Sequence, residues 1–146
     1  MQIKITRLSS SAKMPERGSR SAAGYDLFAD LSEECRIAPH ATKMVGTGLA
    51  MAIPEGYFGG IFARSGLSSK EGLRPANCTG VIDADYRGEI KVALHNDSET
   101  ERIVIPGEKI AQIVLLPFLS VSFEEVEKDQ LGETERGAGG FGSTGK

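Results

Sequence analysis

Two short stretches of this chain contain residue types that could act on a small charged ligand. In the stretch Gly80 to Gly88, two apolar residues are followed by Asp83, Asp85 and Tyr86. On a strand, the two carboxylates would point to the same face, where they could bind a metal or form a coupled pair of acids. Asp83 alone could instead deprotonate a water molecule as a general base. An acidic β-turn without catalytic function is a third interpretation, and this stretch alone leaves the choice open.

The stretch Ala63 to Lys70 has the composition of an anion-binding turn. Arg64 supplies a cation, Ser65 a hydroxyl group and Gly66 the conformational freedom for a tight turn. A helical turn near residues 67–71 would add exposed amide groups, and amides of this kind bind anions such as phosphate. The alternative is an ordinary strand-to-turn connection that carries a surface arginine.

Other motifs exclude several classes of function. The run 137–142 formally matches G-x-G-x-x-G, but no strand precedes it and too few residues follow it for a dinucleotide-binding βαβ unit. The two histidines and two cysteines lack zinc-ligand spacing. A net charge of −3 provides no basic field for nucleic acid, and no apolar run is long enough to span a membrane. We therefore expect no nucleic-acid or membrane partner and an intracellular, cytoplasmic protein, or a nuclear one in a eukaryote.

The elements that must position these residues are short strands. Apolar and polar residues alternate with a period of two, and turn residues separate the segments. This pattern predicts strands at residues 2–8, 45–53, 57–63, 89–95, 102–106, 109–117 and 120–126. Many short strands at this spacing predict an all-β fold, a jelly-roll-like barrel or sandwich.

The C-terminal end differs from the rest of the chain. We expect a single β-rich domain over residues 1–131, and a flexible, glycine-rich arm over residues 132–146. Arg136 and Phe141 are a cation and an aromatic ring among these glycines. A segment that folds over an anionic, aromatic ligand would need both groups, whereas a disordered end would need neither.

Five stretches, in order along the chain, resemble the five motifs of the dUTP pyrophosphatases (dUTPases). Two of them, GVIDADYRG and RGAGGFGSTG, are individually distinctive. Two small departures, Ala63 in place of a common proline and the pair Ser68-Ser69, remove no functional group. The five stretches are residues 23–27, 63–70, 80–88, 107–112 and 136–145.

This resemblance implies a specific reaction and assembly. Members of the family are β-rich homotrimers with active sites shared between chains, and they hydrolyse dUTP to dUMP and pyrophosphate with Mg²⁺. The reaction lowers dUTP and supplies dUMP for dTMP synthesis. By resemblance, Asp83 is the general base that activates the attacking water. Asp26 would contact the water shell of the metal, and the phosphate ligands would be Arg64, Ser65, Gly66 and Gln112.

The same resemblance implies how the nucleoside is recognised. Residues 77–91 would form a hairpin whose backbone groups pair with uracil, and Tyr86 would pack under the deoxyribose and leave no space for a 2′-hydroxyl. The arm would close over the site, with Arg136 on the phosphates and Phe141 on the uracil. The implied substrate-binding positions in these segments are Asn77, Gly80, Val81, Ile82, Tyr86, Lys91, Arg136, Phe141, Gly142, Ser143 and Thr144.

Two alternatives to a dUTPase remain. A dCTP deaminase has a similar fold and substrate, and it would release ammonia from dCTP. A non-catalytic nucleotide-binding module of the same fold would bind dUTP without turnover.

Overall fold

The computed structural model describes residues 1–140, and within this range the chain is built almost entirely from short strands. The predicted all-β class is therefore confirmed. None of the helices in this range is long and apolar enough to cross a membrane. The strands are β1 (Lys4–Arg7), β2 (Glu16–Arg17), β3 (Tyr25–Phe28), β4 (Cys35–Ile37), β5 (Thr42–Gly46), β6 (Leu49–Ala52), β7 (Tyr57–Phe62), β8 (Leu73–Pro75), β9 (Thr79–Ile82), β10 (Lys91–Asn96), β11 (Arg102–Val104) and β12 (Lys109–Pro117); helix α1 (Ser65–Glu71) follows β7, and a 3-10 helix spans Lys128–Leu131.

The strands form four antiparallel sheets around one core. The largest has the strand order β2-β3-β12-β7-β9, and β12 lies at its centre. A second sheet has the order β5-β10-β8, and two strand pairs, β1-β6 and β11-β4, complete the arrangement. Neighbours in space are mostly distant in sequence, so the fold depends on long-range pairing.

A contiguous aliphatic core joins the sheets. Its members come from nearly every strand, because alternate residues of each strand point to the same side. Asn96 is fully buried among them, and its amide group donates hydrogen bonds to the carbonyls of Ile37 (3.0 Å), Ala38 (3.2 Å) and Thr100 (2.8 Å). This satisfied polar group fixes the loop after β10 against β4. The largest fully buried side chains also include Leu27, Ile37, Val45, Leu49, Leu73, Ile90, Val92, Leu94, Val104, Ile110 and Ile113.

The prediction of one strand over residues 45–53 was wrong. The chain breaks at Thr47 and Gly48, so β5 and β6 belong to different sheets. Gly48 has φ +63°, a left-handed conformation that favours glycine. The alternation of apolar residues continues through the break because both strands face the same core, and a period of two cannot report a change of sheet.

The prediction of a strand over residues 120–126 was also wrong, since these residues pair with no strand among residues 1–140. The segment is strongly exposed: Val121 is 64% and Phe123 96% accessible. The sequence is suited to a strand, but a strand forms only where a partner supplies the hydrogen bonds.

A surface ion pair links β8 to the end of β10. Arg74 donates from Nε to Asp97 Oδ2 at 2.6 Å and from Nη2 to Asp97 Oδ1 at 3.0 Å. These hydrogen bonds are the main reason why the pKa of Asp97 lies below its usual value. The charges of the neighbouring His95 and His40 lower this pKa by smaller amounts. The same pair raises the pKa of Arg74.

We expect the Arg74–Asp97 pair to make part of the stability of the fold dependent on acid pH. A carboxyl group whose pKa is lower in the folded chain stabilises the fold above its unfolded pKa of about 3.9, and this contribution is lost as the pH falls through the lower, folded value. In urea unfolding at pH 5 and at pH 3, Asp97→Asn should therefore lose less stability on acidification than the parent chain. Glu33→Gln, which removes an exposed carboxylate, is the control. An unchanged acid dependence in Asp97→Asn would contradict the assignment.

Candidate functional site

Charged and polar side chains from three neighbouring strands of the largest sheet form one cluster. Gln112 on β12 is paired with Asp26 on β3 and with Phe62 on β7. Arg64 lies two residues after the end of β7. The strand register therefore brings together residues from three of the five resembling stretches.

Asp26 is the centre of this cluster. Arg64 Nε donates to Asp26 Oδ1 at 3.0 Å, and Lys109 Nζ lies 2.8 Å from Asp26 Oδ2. Arg64 Nη1 also donates to the carbonyl of Lys109 at 3.3 Å. The Asp26 side chain is only 15% exposed, but those of Arg64 and Lys109 are 34% and 37% exposed, so the two ion pairs are partly shielded from solvent. One carboxylate neutralises only one of the two cations, so the cluster keeps a net positive charge that can attract an anion.

Lys109 was missed as a site residue by the sequence reasoning. It belongs to the fourth resembling stretch, but its side chain reaches Asp26 only because β12 and β3 are paired. Its ammonium group also lies 5.7 Å from the centre of the Phe28 ring. Its place in that fourth stretch is the signal that could have identified it.

Gln112 is held close to the backbone on both sides. Its Nε2 donates to the carbonyl of Ala63 at 2.9 Å. A Cβ atom at Gly24 would lie 2.2 Å from Gln112 Oε1, so a larger residue there would displace the Gln112 side chain. This contact explains why a glycine precedes Tyr25 and Asp26 in the first resembling stretch.

The predicted helical turn is confirmed, although α1 begins at Ser65. Arg64 is the N-cap residue with an extended backbone, and no side chain caps the first turn. Leu67 is buried and anchors the helix, while Ser65 and Gly66 are exposed. The first amide groups of α1 therefore have no side-chain partners, which is the arrangement expected of an anion-binding turn.

The segment that leads to Asp83 lies at the edge of the same sheet. Strand β9 pairs with β7, with Gly80 opposite Ile61. A Cβ atom at Gly80 would lie 3.2 Å from Ile61 Cβ and 3.4 Å from Asn77 Nδ2. Gly80 thus allows Asn77 to pack closely, while Val81 remains 58% exposed.

The structure corrects two expectations about residues 77–91. Strands β9 and β10 do not pair with each other, so the segment is a crossover between two sheets and not a hairpin. Asp83 and Asp85 do not share a face of a strand, because Asp83 begins a turn in which the Tyr86 amide donates to the Asp83 carbonyl at 3.2 Å. Within residues 1–140 no group of three metal-ligating side chains occurs. The acidic turn, with Asp83 exposed, is the arrangement observed.

Tyr86 is fixed within this turn. Its hydroxyl group donates to the carbonyl of Glu89 at 2.9 Å. The Glu89 carboxylate accepts the Gly48 amide at 3.0 Å and lies 3.3 Å from Lys91 Nζ. Glu89 was not selected from the sequence, since nothing in its local pattern shows that the distant residue 48 is its partner.

Asp83 and Arg64 are at opposite ends of β7. Ile82 is paired with Gly59, so the next residue, Asp83, lies beside Phe58, near the first residue of β7. The stretch Phe58 to Arg64 spans roughly 20 Å of extended chain. Within one chain, the structure therefore separates Asp83 from the Asp26 and Arg64 cluster.

The arm is described only as far as residue 140. There, Arg136 is exposed, and its Nε donates to the carbonyl of Gly139 at 2.8 Å within the arm itself. The remaining predicted binding residues of the arm, Phe141, Gly142, Ser143 and Thr144, lie outside the described residues.

Comparisons of the sequence with known proteins identify relatives of this chain. The dUTPase family model matches residues 10–145. The chain is 48% identical to a deoxyuridine 5′-triphosphate nucleotidohydrolase of Corynebacterium glutamicum, over 99% of this chain and 95% of that protein.

Solved structures of dUTPases are similar to this chain in fold and sequence. A point mutant of the dUTPase of Staphylococcus bacteriophage 80alpha, with dUpNHpp, matches with a TM-score of 0.90 and 32% identity over 99% of each chain. A point mutant of the dUTPase of the S. aureus phage phi11, whose structure concerns the coordination of a structural Mg(II) ion, matches at 0.79 and 29% identity, over 88% of this chain and 98% of that one. The family match over nearly the whole sequence and the fold together place this chain in the dUTPase family.

Proposed function

We propose that Asp83 is the general base with which this chain hydrolyses dUTP to dUMP and pyrophosphate. The observation that carries the proposal is the exposed carboxylate of Asp83 at the end of β9, in a dUTPase chain that also retains the cationic cluster for phosphates. Asp83 takes a proton from a water molecule, and the water oxygen attacks the α-phosphorus as pyrophosphate leaves.

The cluster around Asp26 supplies the phosphate site. Arg64, Ser65 and Gly66 provide a guanidinium, a hydroxyl group and the first amides of α1, and Gln112 provides an amide donor. Charge develops on the phosphate oxygens during the displacement, and donors already held in place stabilise that charge without reorganisation. The two bonds from Arg64 to Asp26 and to the Lys109 carbonyl hold the guanidinium for this purpose.

The side chains fit a magnesium ion that arrives on the triphosphate. Each Asp26 oxygen already has one cationic partner, but a carboxylate oxygen has a second lone pair to accept a hydrogen bond from a metal-bound water. Magnesium keeps several waters in such sites and neutralises phosphate charge. We therefore assign Asp26 to the water shell of the ion.

The backbone of residues 77–82 is proposed to recognise uracil. The positions involved are Asn77, Gly80, Val81 and Ile82, with Lys91 at the far end of the segment. Fixed backbone donors and acceptors would be left unpaired by cytosine, which disfavours dCTP. Tyr86 is proposed to pack against the deoxyribose and to exclude a 2′-hydroxyl.

A homotrimer with shared active sites is proposed because one chain cannot bring its own parts together. The separation of Asp83 from Arg64 by roughly 20 Å along β7 is longer than their side chains can bridge. Two surfaces of the chain also suit a second copy. The segment 118–126 exposes Leu119 and Phe123, and an open apolar groove of about 400 Å³ is lined by Ile5 and Met51 among others.

The arm, residues 132–146, is proposed to close over the bound substrate, with Arg136 on the phosphates and Phe141 on the uracil. Gly142, Ser143 and Thr144 would contact the γ-phosphate. Ligand contacts would offset the entropy lost when the arm is ordered.

An intracellular, cytoplasmic location is proposed from the substrate and from the thiols. Cys35 and Cys78 are both free, as is usual for proteins in a reducing compartment. There the enzyme would lower dUTP and supply dUMP for dTMP synthesis.

The Asp83→Asn variant should bind dUTP but turn it over roughly 10³-fold more slowly, because the amide cannot accept the proton of the attacking water. Product separation with dUTP, dCTP, dTTP and UTP as parallel substrates measures this change. The matched control is Asp85→Asn, from the same turn, which should keep parental turnover. Near-parental activity of Asp83→Asn would remove it from the base role, and ammonia from dCTP in the parent chain would favour a deaminase.

Two inactive variants should restore each other's activity if sites are shared. Arg64 and Asp83 lie at opposite ends of β7, and in a shared site they would come from different chains. A mixed trimer of Arg64→Ala and Asp83→Asn chains therefore contains some sites in which both residues are intact. For random assembly from equal amounts, about a quarter of the sites are intact in a cyclic trimer. Co-refolding followed by an activity assay measures the recovery, and each variant refolded alone is the control. No recovery, with trimers confirmed by light scattering, would contradict shared sites.

Truncation after Gly132 should leave a folded trimer but lower kcat by roughly 10²-fold or more, because the substrate loses the groups that enclose it. Light scattering and steady-state kinetics measure the two effects separately. Deletion of Lys146 alone, which lies beyond the fifth resembling stretch, is the control. Full activity of the truncated chain would show that the arm does not act as a lid.

A further inference from the structure

We propose that Glu89 is a positioning residue that acts through Tyr86 and sets the preference of the enzyme for a deoxyribose over a ribose substrate. This inference rests on the proposed role of Tyr86 at the sugar. Glu89 lies in the crossover between β9 and β10, where its backbone contacts Tyr86 and its side chain contacts another part of the fold.

The position of the Tyr86 ring depends on the backbone of Glu89. Tyr86 is 43% exposed, so core packing does not hold the ring, whereas its hydroxyl group donates to the Glu89 carbonyl at 2.9 Å. A Cβ atom at Gly88 would lie 2.4 Å from the Tyr86 hydroxyl oxygen. The absence of a side chain at Gly88 therefore lets the ring lie across the turn, and the carbonyl of Glu89 fixes its end.

Two contacts hold the Glu89 backbone: the Ile90 amide, which shares a peptide unit with the Glu89 carbonyl, donates to the Leu49 carbonyl at 2.8 Å, and the Glu89 carboxylate adds a second contact. Oε1 accepts the Gly48 amide at 3.0 Å, a charge-assisted hydrogen bond to a side chain that is only 27% exposed. A Cβ atom at Gly46 would lie 2.3 Å from the same Oε1. The second oxygen lies 3.3 Å from Lys91 Nζ, but Lys91 is half-exposed, so this ion pair contributes little. The Gly48 contact is the stronger constraint.

The turn that Glu89 contacts is itself rigid. Thr47 is fully buried, and its hydroxyl group donates to the Ile90 carbonyl at 2.7 Å. On the other side of the turn, a Cβ at Gly48 would lie 2.3 Å from Asp30 Oδ2, and Asp30 is held by Ser9 and Ser11. Glu89 thus connects an exposed loop to a fixed point in the core.

Loss of the bond between the Glu89 carboxylate and the Gly48 amide should lower the preference of the enzyme for dUTP over UTP. If the carboxylate no longer holds the Gly48 amide, the Glu89 peptide unit keeps only its bond to Leu49, and the Glu89 carbonyl and the Tyr86 ring gain freedom to move together. A loosened ring admits a 2′-hydroxyl and packs less well on a deoxyribose, so UTP gains relative to dUTP.

The test compares kcat and KM for dUTP and UTP in the parent chain, Glu89→Ala, Glu89→Gln and Gly46→Ala. Glu89→Ala should lower the ratio of kcat/KM for dUTP to that for UTP by about 10-fold or more, the scale of a lost positioning contact. Glu89→Gln should stay within about 3-fold of the parent, because its side-chain carbonyl still accepts the Gly48 amide. Gly46→Ala keeps Glu89 but displaces its carboxylate, so the ratio of kcat/KM values should fall as it does in Glu89→Ala. This second variant keeps the test decisive if Glu89→Ala does not fold.

The matched control is Ile37→Val, which removes one methyl group from the core on β4. It should lower the thermal midpoint without changing the dUTP to UTP ratio. A parental ratio in both Glu89→Ala and Gly46→Ala would overturn the proposal and leave Glu89 a purely structural residue.

Amide exchange of Gly48 in the free protein gives a readout that is independent of activity. The Gly48 amide should exchange faster in Glu89→Ala and stay protected in Glu89→Gln. Equal protection in Glu89→Ala would overturn the role of the carboxylate. A parent chain that does not hydrolyse dUTP would overturn the proposed function and the substrate preference with it, while the Gly48 exchange rates would still decide whether Glu89 holds the loop.

Discussion

The pairing of β12 with β3 on one side and with β7 on the other is the constraint on which the candidate site depends. This register puts Gln112 beside Asp26 and next to the end of β7, where Arg64 begins the turn into α1. The residues are far apart in sequence, and only the central position of β12 brings them into contact. A slip by one residue would turn Gln112 to the other face of the sheet, so register and site are specified together.

The electrostatic balance of the cluster follows from this pairing. Arg64 and Lys109 each contact one oxygen of Asp26, and the carboxylate holds both cations in place without neutralising both. Two cations brought close together would repel each other if no anion were present. Asp26 thus makes the cluster stable in the free chain and still attractive to a polyphosphate.

The geometry of β7 sets a different limit. The Asp26 and Arg64 cluster lies at one end of β7 and the acidic turn at the other, and the length of an extended strand keeps them apart within one chain. Under the proposed sharing of sites, the acidic turn acts with the cluster of another copy of the chain. The Glu89 carboxylate and the Ile90 amide both connect this turn to residues 48 and 49, beside the buried Thr47.

The sequence by itself determined the all-β class, the strand β12 with its full extent, the helical turn after Arg64 and the family resemblance on which the proposed role of Asp83 rests. These features depend on local alternation, turn residues or short motifs, which are visible within a few residues. The tertiary structure alone decided that residues 45–53 form two strands and that residues 120–126 have no strand partner among residues 1–140. It also decided that Lys109 contacts Asp26 and that Glu89 holds Gly48. The physical reason is that a period of two shows which face of a strand is buried, whereas the neighbour of that strand is set by pairing between residues distant in sequence, which no local pattern encodes.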